Sequence, residues 1–215
     1  MTPPRRRPEA AGEPRPDRGA GPVAVVSTVW KACSLEPPVP QLSDGLVELR
    51  PWDRADIPAI VAACRDPEIP RWTRVPDPFA EEDAREWLAT HQPKMRTGKG
   101  LPLAVVAPAG EVLGAIELHI RRQGVGDIGY WVAPWARRRG VATRALTLLS
   151  RWALATLPLF RLQVTVDPGN LASQAVAERA GFRREGLLRS YADIKGRPRD
   201  RIMFSRLPMD ADRGA

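Results

Sequence analysis

The feature that most constrains the fold is the run DIGYWVAPWARRRGVATRALTLLSRWALA, residues 127–155, with RLQVTV following at 161–166. Residues 127–133 alternate as a strand. Residues 141–155 repeat apolar side chains at helical spacing, through Ala142, Ala145, Leu146, Leu149 and Ala153. Residues 161–166 read as a second strand. Strand, helix and strand in succession make a βαβ unit, and its two strands lie parallel.

On either side the pattern changes. Residues 103–106 and 112–120 flank Ala109-Gly110 as a hairpin, and 187–194 and 201–207 flank the turn KGRP. A first strand at 46–50 ends at Pro51, and Asp53 or Asp56 can cap a short helix running to Cys64. Residues 65–79 are broken by proline and read as loop or short turns. Residues 80–96 have helical character, with acids early and bases late, as the helix dipole favours. Residues 171–180 form a helix closed by Gly181. The order βαα-βββ-α-β-α-ββ predicts an α/β (mixed α+β) fold: a mixed, mostly antiparallel sheet with helices on both faces and a central βαβ unit.

Residues 1–40 hold nine of the 23 prolines and five arginines, a composition that cannot bury enough apolar surface to offset chain entropy. We expect a disordered tail there, a folded domain at 41–210 and a short tail at 211–215. Residues 23–30 are apolar but too short and poorly flanked for a signal peptide. No run approaches the roughly 18–20 apolar residues that span a bilayer. Cys33 and Cys64 form no CxxC pair, and His91 and His119 are far apart in the chain, so neither a disulfide framework nor a metal cluster is expected. A reduced, cytoplasmic setting fits this cysteine usage. The tail carries six Lys/Arg and four Asp/Glu, so +6 of the net +8 lies in the folded part, which favours acidic or phosphorylated partners.

The loop WARRRG, residues 135–140, lies between the strand and the helix of the βαβ unit. Unpaired N–H groups at a helix start bind anions, Gly140 permits close backbone approach, and Arg137, Arg138 and Arg139 add charge. A phosphate loop, a solvated basic turn and a nucleic-acid patch all fit. Few aromatics interleave with the basic residues, which disfavours the last. GVGDIG, residues 124–129, matches the GxGxxG fingerprint letter for letter but precedes a strand rather than a helix, so dinucleotide binding is not expected.

Arg137-x-x-Gly140-x-Ala142 resembles the Q/R-x-x-G-x-G/A motif of the GNAT acyltransferase superfamily. DIGYWVAP before it and NLASQAVAERAGF at 170–182 resemble the RimJ/RimL-type branch, in matching order and spacing. RWTRVPDPFAEEDAREWL resembles that branch's substrate-side region, and EGLLRSYADIKGRPRDRIMFSRL its closing hairpin. The resemblance spans about residues 44–207. It implies a GNAT-like fold and an N-acetyltransferase using acetyl-CoA as co-substrate, without metal, by direct attack of an amine in a ternary complex. It places the pyrophosphate on the N–H groups of Arg138, Arg139, Gly140, Val141, Ala142 and Thr143. Pantetheine is expected along Tyr130, Trp131, Val132 and Ala133, where two strands splay.

Acetyl transfer also needs a proton acceptor for the amine and a donor for the departing thiolate. The resemblance points to Ser173 as donor. By position alone Ser173 is simply the third helical residue behind a natural N-cap, Asn170, which can also contact pantetheine. Tyr191 is an alternative donor or a packing residue. Period-2 alternation puts Ala115, Glu117 and His119 on one strand face, so Glu117 is a candidate base or water-positioner, or else a solvated structural residue. Asp127 on the next strand is a second candidate, and His119, near a strand end, is expected to be exposed. Where ribosomal-protein enzymes of the branch can carry a glutamate on the late strand, this chain has Ala192, and Asp193 points to the opposite face if the strand is regular. That departure argues against ribosomal-protein specificity and keeps a non-catalytic acyl-CoA sensor as an alternative. Trp72, Phe79 and Trp87 either wall the acceptor pocket or cover a small core. The acceptor is a peptide N-terminus or a small amine, and both monomer and homodimer fit.

Overall fold

The computed structural model describes residues 34–122 and 124–213. The apolar stretch at 23–30, Cys33 and most of the expected tail lie outside them. Within the expected tail, Leu35 is buried and its N–H donates to the Met95 carbonyl at 2.8 Å.

Among the described residues the strands are β1 (Leu42–Ser43), β2 (Glu48–Arg50), β3 (Gly100–Val106), β4 (Val112–Arg122), β5 (Val125–Val132), β6 (Arg161–Val166), β7 (Arg183–Ile194) and β8 (Arg197–Arg206). The helices are α1 (Ile57–Cys64), α2 (Glu68–Trp72), α3 (Glu81–Ala89), α4 (His91–Arg96), α5 (Val141–Thr156) and α6 (Leu171–Arg179). The strands form one sheet in the order β1-β2-β3-β4-β5-β6-β8-β7. Neighbours pair antiparallel except β5 and β6, the parallel pair of the βαβ unit.

That parallel pairing is short. It holds at Val125↔Arg161, Gly126↔Leu162 and Asp127↔Gln163. Beyond this point β5 continues against β4 as far as Val132, and β6 continues against β8 as far as Val166. The two halves of the sheet therefore part. Gly126 sits where they are still in contact, and a Cβ there would meet Leu118 and Leu162 side-chain atoms at 2.7 Å. The glycine of the misleading GxGxxG run thus serves close strand packing.

Two expectations are revised. The helix foreseen over 80–96 breaks at Thr90, because Pro93 has no N–H to continue the ladder and the Thr90 hydroxyl donates to the Trp87 carbonyl at 2.7 Å. The proline-broken stretch at 65–79 nevertheless contains α2, whose start is held by Asp66 accepting the Glu68 N–H at 3.1 Å. The final hairpin turns at Lys195 and Gly196, both at positive φ, as a two-residue turn of matching twist requires.

α5 buries Ala145, Leu146, Leu149 and Ala153 in a core that includes Leu118, Ile128, Leu162 and Phe204. On α4, His91 is buried edge-on against Trp87, with ring centroids 4.5 Å apart, and its Nε2 has no partner among the described residues. Burial, aided by the charge of Lys94, lowers its pKa from 6.5 to about 4. Between those values the unfolded chain binds a proton that the folded chain excludes, so stability declines as pH falls through the interval. The expected loss at pH 5 is about 2 kcal/mol. His91→Phe should flatten that slope, read as urea midpoints at pH 7 and pH 5; an unchanged slope would assign the pH dependence elsewhere.

Candidate active site

The parted strands open a cavity of about 1790 Å³ that draws walls from both faces of the sheet. Register assigns the faces. Glu117 opposes Gly129, and His119 opposes Asp127, so these four share one face of β4 and β5. Tyr130 opposes Ile116 and belongs to the other face. Both Glu117 and Tyr130 line the same cavity.

At one end stands the loop before α5. Ala133 and Trp135 hold its approach: the Ala133 N–H donates to the Leu113 carbonyl at 2.9 Å, and the Trp135 indole to the Val112 carbonyl at 3.0 Å. Gly140 then takes φ 76° as the N-cap of α5, a conformation that favours glycine, and no side chain caps the helix. The first-turn N–H groups of this 16-residue helix are thus without the usual serine or aspartate partner. Gly140, Val141, Ala142 and Thr143 line the cavity, as do Arg137 and Arg138. The arginines differ in role. Arg137 donates to both oxygens of Asp66, at 2.6 and 3.3 Å, tying the loop to the start of α2. Arg138 is exposed, with φ 61°. Arg139 is exposed and lies outside the cavity wall.

Along β5, Tyr130, Trp131 and Val132 line the cavity; Ala133 is fully buried and its N–H is already engaged. Trp131 also belongs to an aromatic cluster, 6.3 Å from Trp52, which meets Trp87 edge-on at 5.2 Å. Across the opening, α6 begins at Asn170, whose Oδ1 accepts the Ser173 N–H at 3.0 Å. Asn170 is therefore a true N-cap. The Ser173 hydroxyl is not used in capping. It lies 2.7 Å from the Tyr130 hydroxyl, close enough for either to donate. Burial raises the Tyr130 phenol to about 12, partly offset by the Ser173 contact.

On the opposite face the Glu117 carboxylate is largely buried. It accepts from Lys94 Nζ at 3.0 Å and lies 3.4 Å from His119 Nδ1. It also covers Gly100, where a Cβ would meet Glu117 Oε1 at 3.0 Å. His119 is half-buried beside it rather than exposed, and burial lowers its pKa. Asp127 is buried and bound at 2.6 Å by Arg121, so its carboxylate is already committed to a counterion.

Tyr191 is half exposed and lines the cavity. The strand that carries it is irregular: Leu188 opposes Arg201 but Ala192 opposes Arg199, and Ser190 between them has φ 47°. The alternation argument for Asp193 therefore does not apply. Its carboxylate accepts the Gly196 N–H at 2.7 Å within the hairpin turn. Trp72, Phe79 and Trp87 all line the cavity, Phe79 as a buried core residue and Trp72 beside Gly169 with its indole donating to Glu68 at 3.0 Å. Sequence reasoning missed the Tyr130–Ser173 pair, the role of Lys94 and the placement of His119; only the opposite parity of Tyr130 and Glu117 could have been read from alternation. Among the described residues no group of three His, Cys, Asp or Glu side chains gathers as a metal site, and no helix is long and apolar enough to cross a membrane.

The parted sheet, the uncapped N-terminus of α5 and titratable groups from both faces thus border one continuous cavity. A family model described as an acetyltransferase (GNAT) domain matches residues 47–183. The chain belongs to the GNAT acetyltransferase family and is an acetyltransferase. It is similar to the uncharacterized N-acetyltransferase p20 of Bacillus licheniformis, 27% identical over 74% of this chain and 91% of that protein. The fold is similar to Mycobacterium smegmatis RimJ in complex with CoA-disulfide, with TM-score 0.68 and 27% identity over 76% of this chain and 82% of that one. A GCN5-related N-acetyltransferase from Brucella melitensis gives TM-score 0.68 and 27% identity over 83% of each chain.

Proposed function

We propose that this chain transfers the acetyl group of acetyl-CoA to a primary amine by direct attack in a ternary complex. The observation that carries the reading is the single cavity reaching through the parted strands. It joins the α5 N-terminus, the Tyr130–Ser173 pair and Glu117. In this reading the pyrophosphate rests on the first-turn N–H groups of α5, with Gly140 allowing close approach. Pantetheine adds to the β6-facing edge of β5 at residues 128–132, whose backbone groups lack a strand partner there. Ala133 is left out, because its N–H is taken. The RimJ neighbour, whose structure contains CoA-disulfide, supports this assignment.

The amine nitrogen attacks the thioester carbon, forming the C–N bond as the C–S bond breaks. Glu117 takes the proton lost from the amine, directly or through a water, and Lys94 balances its charge. The departing thiolate takes a proton from the Ser173 hydroxyl. Tyr130, kept protonated by burial, donates to Ser173 Oγ and leaves the serine's own hydrogen free for the sulfur. Much of the rate comes from positioning. The acceptor is the N-terminal amine of a peptide or a small-molecule amine. An α-amine, with an ordinary pKa near ~8, is available neutral at physiological pH, whereas a lysine near ~10.4 is not.

The test is thiol release from acetyl-CoA against N-terminal peptides, polyamines and amine antibiotics, with product mass confirmed. Gly140→Asp should abolish acetyl-CoA binding and thiol release together, by crowding the backbone and placing a negative charge at the phosphates. Retained affinity in that variant overturns the loop assignment, and binding without thiol release for any amine overturns the transfer reading. Ser173→Ala should lower kcat by roughly 10–100-fold with acetyl-CoA affinity kept, and Tyr130→Phe should give a smaller loss of the same kind. Wild-type turnover in Ser173→Ala would leave Ser173 only its place in the capped helix.

A further inference from the structure

The cavity holds a buried cation that the acetyl-transfer chemistry above does not use. Arg201, in β8, lines the cavity with only 8% of its side chain exposed. Asp127 is level with Gln163, Gln163 with Ser205, and Thr165 with Met203, so the odd-numbered residues of β8 share the sheet face of Glu117 and Asp127. Arg201 follows that parity. It is on the face of the proposed base, away from the α5 loop proposed for the pyrophosphate.

Among the described residues Arg201 has no carboxylate to itself. The carboxylate nearest to it is Asp167, with Oδ2 3.9 Å away, beyond hydrogen-bond reach. That oxygen already accepts Arg199 Nε at 3.1 Å and Nη2 at 2.7 Å. The other oxygen of Asp167 accepts the Gly169 N–H at 3.0 Å. Arg74, also at the cavity wall, adds repulsion and donates only to the Asp193 carbonyl, at 3.4 Å. The three carboxylates of the adjoining hairpin are committed elsewhere: Asp193 to the Gly196 N–H, Asp200 to the Ser190 N–H, and Glu185 to Arg161 and Ser205. Two guanidinium groups, Arg199 and Arg201, thus share one carboxylate, and Arg74 adds a third positive charge nearby. Burial first, then the charges of Arg199 and Arg74, push the Arg201 pKa down, against the opposing pull of Asp167. A buried charge in this position is costly unless paired, and the open side faces the cavity.

We infer that Arg201 is a specificity-determining residue of the acceptor pocket, binding an anionic group carried by the amine substrate. The acceptor class is an amine with an acidic group a short distance away. The inference rests on the acetyltransferase reading of the same cavity.

The experiment uses the full chain. Thiol release is measured for peptides with N-terminal Ser that carry Glu, Gln or Lys at the second or third position, and for phosphoethanolamine against ethanolamine. Wild type should favour an acidic acceptor over its neutral match by roughly tenfold or more in kcat/KM, mainly through KM. Arg201→Gln should remove that preference and keep acetyl-CoA affinity, and Arg201→Lys should restore part of the preference. Preference in the peptide pair assigns the anion to a polypeptide, and preference in the phosphoethanolamine pair assigns it to a small acceptor. Equal rates for acidic and neutral acceptors, or a preference that survives Arg201→Gln, overturn the inference. Calorimetric binding of the N-acetylated Glu and Gln peptides to wild type tests Arg201 without turnover. Tighter binding of the Glu product supports the site even if no acceptor is turned over, and equal binding overturns it. A failure of acetyl transfer is thereby separated from a failure of the anion site.

Discussion

The parting of β5 from β6 after three parallel pairs is the constraint on which the rest of the site depends. Had the two strands stayed paired to their ends, no gap would exist for a ligand to enter. The backbone of β5 beyond Asp127 is ordered by β4 on one side, so its free edge is held in extended form without a partner on the other. An unpaired strand edge within a cavity must be satisfied by water or by a ligand with matching amide groups. The ordering of that edge is already complete before a ligand arrives, which removes part of the entropic cost of binding. β6 is likewise held on its far edge, by β8 over Leu162 to Val166, so it stays extended after it leaves β5.

Much of the fold was legible because its signals are local. The βαβ unit, both hairpins and α6 follow from periodicity, turn residues and caps, and the structure differs chiefly at ends and breaks. The break at Thr90 has a readable cause in Pro93; the helix inside the proline-rich 65–79 stretch does not, since it depends on Asp66, which is also held by Arg137 from 71 residues away. The site was legible in part. Alternation along β4 brought Glu117 to the cavity face, yet its partners Lys94 and His119 come from packing α4 against β3 and from burial at the strand end. The Tyr130–Ser173 contact joins residues 43 apart and requires the splay itself. The bulge at Ser190 cannot be seen in a strand pattern at all, because it consists of a change in register between β7 and β8.

The arginines around Gly140 illustrate why charge content alone is a poor guide to an anion site. Arg137 is bound to Asp66, and Arg144 to Asp44 at 2.7 Å, so two of the most prominent cations in the run tie the loop and α5 to neighbouring elements. Ion pairs of this half-exposed kind add modestly to stability. Their larger effect is geometric. They fix where the uncapped first turn of α5 sits relative to β5, and the anion-binding capacity then belongs to backbone dipoles that need no side chain.

For the reaction proposed above, the sheet also keeps the two proton-transfer groups apart. An acyl transfer to an amine needs one group that accepts a proton and another that gives one up, and the two must not neutralise each other before the reaction. Glu117 reaches the gap from one face, beside Lys94, while Ser173 and Tyr130 reach it from the other. Opposite parity on adjacent strands keeps them apart although both border one cavity. Lys94 stands beside the Glu117 carboxylate as its counterion, and burial favours the neutral Tyr130 phenol. In the proposed reaction the substrate in the gap joins them: the amine gives its proton to Glu117 as the C–N bond forms, and the thiolate takes one from Ser173 as the C–S bond breaks.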